Sequence, residues 1–224
     1  MQHTILLLSD GTYWPGTAYG YKTSENASTP ISEVVFNTSM TGYQEILTDP
    51  SYNGQMVVMT YPEIGNYGCD PIFTESSSVK ATAMIVHHLY QGPLPEGRQS
   101  LDAYMKGQHV TLLSDVDTRS LTLHLRSHGS QNGMIFTTGG EITEATREKA
   151  LSSLRAFPQI TERNLIEGVS VGRIVKDPLV DGICPSSPHA RFAVMDFGIK
   201  SSIIRQFYKR NIAVTLLPAT ATRK

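Results

Sequence analysis

Near the C-terminus, the succession of strand, helix and strand constrains this chain more than any other feature. Residues 192–196 form a short apolar run of the buried-strand type. Residues 200–209 place Ile203, Ile204 and Phe207 on one helical face, and 212–217 form a second apolar run. Two strands joined through a helix lie parallel, and parallel sheets have both faces covered. A two-stranded sheet with one helix leaves its other face and both edges open. Residues 191–224 therefore read as one βαβ unit of an incomplete α/β domain. Its apolar face has little to pack against, so this tail is expected to fray.

The remainder reads as one domain over 1–158 and an interdomain connection over 159–190. Residues 4–9 and 12–19 flank the turn dipeptide Asp10-Gly11 and predict an N-terminal hairpin. Further strands are predicted at 33–37, 55–61 and 80–87, rich in Val, Met and Tyr between Gly, Pro or Asn. Ser100 can cap a helix running to Lys106 and closed by Gly107. Asp117 can cap another to His128, closed by Gly129. An Asn132-Gly133 turn and a strand at 134–138 follow. A helix over 144–157 then carries Ala150, Leu154 and Phe157 on one face and stops at Pro158. From 159 to 190 periodicity gives way to Gly168, Gly172, Pro178, Gly182, Pro185 and Pro188, the composition of a connection.

Lys+Arg 19 against Asp+Glu 20 leaves a net charge of -1, which provides no overall field for nucleic acid or an anionic membrane. No stretch approaches ~18 consecutive apolar residues, so no membrane-spanning helix is expected. The start, MQHTILLLSDGT, lacks the basic region and cleavage site of a signal peptide, and a cytoplasmic protein is expected. Two cysteines, Cys69 and Cys184, are too few for a disulfide framework. The sequons at Asn26 and Asn37 would matter only in a secreted chain.

Several patterns resemble active-site motifs without their context. Gly168-Val169-Ser170-Val171-Gly172 fits G-x-S-x-G, but a nucleophile elbow needs a helix after the serine, and Arg173 to Pro178 is not one. His124 and His128 have metal-ligand spacing on a helix, yet no third ligand is evident, and a histidine suits a helix C-terminus without metal. His87 and His88 are adjacent on a strand and point to opposite faces. Asp115 and Asp117 could hold Mg²⁺, but helix capping is reason enough for Asp117. A nucleophilic Cys69 or Cys184 would need an electropositive setting that the sequence does not show. The reading is no catalytic residue and no metal site in this chain.

The segment 37–52, NTSMTGYQEILTDPSY, is polar and without simple period, and reads as an organised loop and strand-end surface. Thr48 and Asp49 can bond local backbone, and Asp49-Pro50 favours a turn. With TYPEIGNYG at 60–68 and DVDTRSLTL at 115–123, it resembles the small, glutamine-hydrolysing subunit of carbamoyl-phosphate synthase, and the resemblance extends over essentially all 224 residues. RFAVMDFGIKSSIIRQF resembles the opening of that family's glutaminase domain. The resemblance implies a mixed α/β chain, with a three-layer β/β/α N-terminal domain followed by the first βαβ unit of an incomplete doubly wound α/β, class I glutaminase-like domain. It implies that Ser51, the serine of DPSY, helps bind glutamine. The nucleophilic cysteine and the later histidine and glutamate of such subunits would lie beyond Lys224. Ammonia from glutamine would pass to a large subunit, where ATP and Mg support carbamoyl phosphate synthesis for arginine and pyrimidines. This chain would then be a docking and pocket-lining portion of a heterodimer, predicted inactive alone, with no cofactor of its own. The alternative is a natural noncatalytic binding module derived from that subunit.

Overall fold

A computed structural model describes residues 3–22, 27–138 and 143–222. The sequon at Asn26 lies outside them. The chain is mixed α/β, with five α-helices among the described residues. Its larger unit is a sheet of seven strands closed on itself. In chain order the strands are β1 (His3–Leu8), β2 (Tyr13–Gly20), β4 (Ser32–Asn37), β5 (Gln55–Met59), β7 (Ala83–Ile85), β9 (Thr111–Ser114) and β10 (Gln131–Thr138). They neighbour one another as β1-β2-β9-β7-β5-β4-β10, and β10 returns to β1. The short β3 (Ala27–Ser28) extends the β10 edge, and β6 (Glu63–Ile64) with β8 (His88–Leu89) forms a separate ribbon.

The strands carry continuous apolar runs, ILLL, MVVM and AMI, because the sheet is buried on both faces. Leu6, Leu8, Met56, Val58, Ile85 and Ile135 fill the interior, which Leu121 and Leu125 of α3 (Thr118–His128) close. The alternate residues Val57, Met59 and Met84 pack outward with α1 (Tyr43–Thr48) and α2 (Leu101–Gly107). Ile5, Leu7, Met134 and Phe136 pack outward under Leu154 of α4 (Glu144–Ala156). Fully burying each such side chain contributes roughly 1.5–3 kcal/mol.

The predicted hairpin forms, with Leu6 paired to Trp14. Ser100 and Asp117 cap α2 and α3 by accepting from Ala103 N and Ser120 N. Gly129 follows α3 with φ 84. Three expectations change. Asn132-Gly133 is not a turn but lies inside β10, where Gly133 lets the strands close: a Cβ there would stand 2.6 Å from Val34 Cγ2. Residues 111–114, unread in the sequence, form β9 at the centre of the sheet. The strand predicted at 80–87 is only Ala83–Ile85.

In the smaller unit, β12 (Ala190–Asp196) and β13 (Ile212–Pro218) pair in parallel around α5 (Ser201–Lys209), as the sequence requires. One edge is not open as expected: β11 (Val175–Lys176) pairs antiparallel with β13. It comes from the segment read as a connection, whose Val171, Val175 and Val180 join the α5 core of Ile204, Val214 and Leu216. The β12 edge has no strand partner among the described residues, and Phe192 remains 48% exposed.

Candidate functional site at the junction of the two units

The segment 37–52 is not the loop surface its polarity suggests. Its centre is α1, and Tyr43, Gln44, Leu47 and Thr48 are buried. Their polar atoms are bonded rather than solvated. Tyr43 donates to Gly68 O at 2.7 Å, and its ring stacks on Tyr67 at 4.3 Å. Tyr67 Oη accepts from Gly42 N, Gln44 Oε1 accepts from Asp70 N, and Thr48 Oγ1 accepts from Glu75 N. The first two sequence blocks are thus one hydrogen-bonded body. Its polar composition satisfies backbone that irregular connections would otherwise leave unpaired.

This body ends in a turn that presents Ser51. Asp49 caps the 3-10 turn Pro50–Tyr52 by accepting from Ser51 N at 2.9 Å, as its sequence suggests. Asn37 Nδ2 donates to Tyr52 Oη at 2.9 Å, tying the two ends of the segment. The Ser51 side chain is exposed, and its hydroxyl has no partner among the described residues.

The turn abuts the start of α5. Lys200 Nζ lies 3.1 Å from Asp49 Oδ2, a contact that raises the lysine's pKa against the effect of burial. Lys200, at the N-cap position, supplies no capping acceptor. The cap comes instead from the larger unit: Glu75 O accepts from Ser201 N at 2.8 Å and Glu75 Oε2 from Ser202 N at 2.9 Å. On the other side of the turn, buried Asp196 accepts from Gly198 N, Ile199 N and Val171 N. Gly198 has φ 97, and a Cβ there would stand 2.8 Å from Pro50 Cβ. Only glycine allows this approach.

Glu75, Asp196 and Lys200 were not singled out in the sequence. One signal was present: a helix opening Gly-Ile-Lys-Ser-Ser before an apolar stripe lacks a capping side chain at Lys200, so its first amides need an outside acceptor.

The motif look-alikes disperse. Ser170 follows a 3-10 turn, not a strand, and its Oγ accepts from Ala219 N. His124 and His128 stack at 4.4 Å, but His124 Nε2 meets Asp10 Oδ2 at 2.6 Å and His128 Nδ1 bonds His124 O. Among the described residues, no cluster of three His, Cys, Asp or Glu is set to hold a metal. Asp115 has φ 63 beside the capping Asp117. His87 bonds Val116 O, while neighbouring His88 faces Glu63. Cys69 is buried in the outer core, and burial, then the Glu45 charge, pushes its thiol up to about 12. That is the reverse of a nucleophile's setting. No helix among the described residues is long and apolar enough to cross a membrane.

A closed mixed sheet with a βαβ unit seated on it through a serine-bearing turn defines a two-part α/β protein whose polar motif faces the seam. Residues 6–135 match the family described as carbamoyl-phosphate synthase small chain, CPSase domain. The carbamoyl phosphate synthase small chain of Chlorobaculum tepidum is 40% identical over 223 residues, which cover 97% of this chain and 56% of that protein. Those of Aquifex aeolicus and Methanococcus vannielii are each 38% identical, over 96% of this chain and 57% and 53% of theirs. This chain belongs to the carbamoyl-phosphate synthase small-chain family. It spans about half the length of the curated relatives it matches.

Proposed function

We propose that these residues form the docking and pocket-lining part of a glutamine-hydrolysing carbamoyl-phosphate synthase small subunit. In this reading the closed sheet and its covering helices are the family's three-layer β/β/α domain. The βαβ unit opens a doubly wound, class I glutaminase-like domain, and Ser51 donates to the glutamine held between the two. The partner is a large subunit that uses ATP and Mg, in a cytoplasmic heterodimer serving arginine and pyrimidine synthesis.

The observation that carries this is the seam itself. A free Ser51 hydroxyl stands on a turn held by Asp49, and the same carboxylate binds Lys200 at the start of α5. A short hydroxyl on a rigid turn can orient a small polar substrate with little loss of entropy. Neither the Cys69 thiol nor Ser170 is arranged as a nucleophile, so the attacking group is assigned to the remainder of the glutaminase domain.

Two assays test the reading. Mixed with a matching large subunit, the 224-residue chain should support ammonia-dependent synthesis and release no glutamate from glutamine. Fused to the complementary part of the Chlorobaculum tepidum small chain, it should release glutamate. In that fusion Ser51→Ala should raise KM for glutamine about tenfold, the worth of one substrate hydrogen bond, with kcat little changed. Glutamate release by the unfused chain would overturn the assignment. Failure of both preparations to associate with the large subunit would favour a binding module of another kind.

A further inference from the structure

Between α4, β10 and the β3–β4 connection lies a groove of about 1160 Å³, which Asn53 and Gly54, just past the Ser51 turn, also line. That is large enough for a small organic ligand. Its apolar surface includes Ile31, Met134, Phe136 and Leu165. The buried hydroxyls of Ser32 and Thr29 are already engaged: Ser32 Oγ donates to Thr82 Oγ1, and Thr29 Oγ1 accepts from Ile135 N. Among the described residues, the charged side chains lining it are Lys149 and Arg163, both cationic.

Arg163 is the feature without an account in the fold. It is partly buried, its guanidinium lies over the Phe157 ring at 5.0 Å, and Nη1 is enclosed with no hydrogen-bond partner. No acidic group pairs with it among the described residues. A partly desolvated cation with no counter-charge is costly, and stacking on one ring offsets only part of that cost. A bound anion would supply the counter-charge, reaching the guanidinium through Nε and Nη2, since Nη1 itself is closed off by protein. The planar fork matches a carboxylate, and the apolar floor beside it suits an acid that carries a hydrocarbon body.

We propose that this groove binds a small amphipathic carboxylate, with its acid group on Arg163, Lys149 at the rim and an aromatic or branched aliphatic body on the Ile31–Phe136 floor. Asn53 and Gly54 bring the groove close to the Ser51 turn, but the proposal rests on Arg163, Lys149 and the apolar floor and does not depend on the glutamine assignment.

The probe is 2-naphthoate, titrated calorimetrically into the 224-residue chain, with uncharged 2-naphthamide as its control. Naphthoate should bind with one-to-one stoichiometry, and naphthamide about tenfold more weakly or not at all, the loss of one charge-assisted contact. Arg163→Gln should weaken naphthoate about tenfold, with thermal unfolding confirming that the variant folds. Should Arg163→Gln not fold, Lys149→Gln on the exposed face of α4, expected to weaken binding severalfold, decides together with the acid–amide difference. Phe192→Ser, in the open sheet of the smaller unit, should leave binding unchanged. Absence of naphthoate binding at millimolar concentration, equal binding of acid and amide, unchanged binding by folded Arg163→Gln, or loss in Phe192→Ser would each overturn the site.

Discussion

The two sheets of this protein solve the burial of apolar strands in opposite ways. In the closed sheet every strand has neighbours on both edges and most have cover on both faces, so Leu6, Val57 and Ile85 are all 0% exposed. In the smaller sheet, α5 covers one face and β11 one edge, while Phe192, Met195 and Phe197 stay open to solvent. Closure removes edges, whereas an open parallel pair retains them until something else packs there. The larger unit therefore has a core of its own, and the smaller one is anchored chiefly through the seam at Asp49, Glu75 and Gly198.

Core truncation should split the two units most widely. Leu6→Ala removes a side chain enclosed within the barrel and should cost about 2–5 kcal/mol in urea unfolding. Phe192→Ser should cost less than about 1 kcal/mol, because the ring is half exposed where it lies beside Phe207. Equal costs would break the contrast and show that the smaller sheet is as well packed as the barrel.

The seam comes next. Gly198→Ala forces a side chain onto a backbone at φ 97 and against Pro50, a strain of about 1–3 kcal/mol. The cost should appear locally: trypsin should cut after Arg191, Lys200 or Arg205 faster than in the parent, while the barrel resists. Uniformly unchanged cleavage would mean that the smaller unit does not rely on the seam. Glu75→Gln should act in the same direction more weakly, since the backbone acceptor at Glu75 survives.

The next contrast concerns pH. Burial alone would raise the pKa of Asp10, but donors from Thr12, Gln131 and His124 outweigh it and hold the carboxyl well below the ordinary carboxylate range. A group with a depressed folded-state pKa contributes stability that is fully present above its unfolded value, near 3.8. That contribution is lost as pH falls below that value toward the folded-state one. Asp10→Asn should therefore flatten the decline of barrel stability below about pH 4, measured by thermal unfolding from pH 7 to 2.5. An unaltered acid limb would show that this cluster of hairpin, α3 and β10 does not couple folding to protonation.

Legibility in the sequence followed the same division. The βαβ order was readable because its strands are short apolar runs around one amphipathic helix, and caps such as Asp117 act through their own neighbours in sequence. The barrel closure was not readable, since it rests on β10 pairing with β1 across more than a hundred residues, and on Asn132-Gly133 acting as strand where local chemistry suggests a turn. At the site, the Asp49 cap followed from local turn chemistry, whereas Ser51 was picked out by resemblance alone. Glu75 and Lys200 escaped because their partners lie more than a hundred positions away. The polar composition of 37–52 misled for a physical reason: its side chains bond neighbouring connections, so polarity there marks buried satisfaction rather than exposure.

The smallest effect sharpens the comparison without altering stability, because each unit carries one free cysteine. Cys69 packs in the outer core of the barrel beside Tyr43 and Met84, and its thiol is pushed up to about 12, first by burial and then by the Glu45 charge. Cys184 is only partly buried, in the segment leading from β11 to β12. Iodoacetamide at pH 8 reacts with thiolate, so Cys184 should label in minutes while Cys69 labels only as fast as the barrel opens. Peptide mapping of the labelled chain separates the two. In about 2 M urea, below a typical unfolding midpoint, Cys184 should still label first. Equal rates in native buffer would mean that the sheet opens locally around residues 65–70, and that closure of its strands does not extend protection to the connections packed on its outer face.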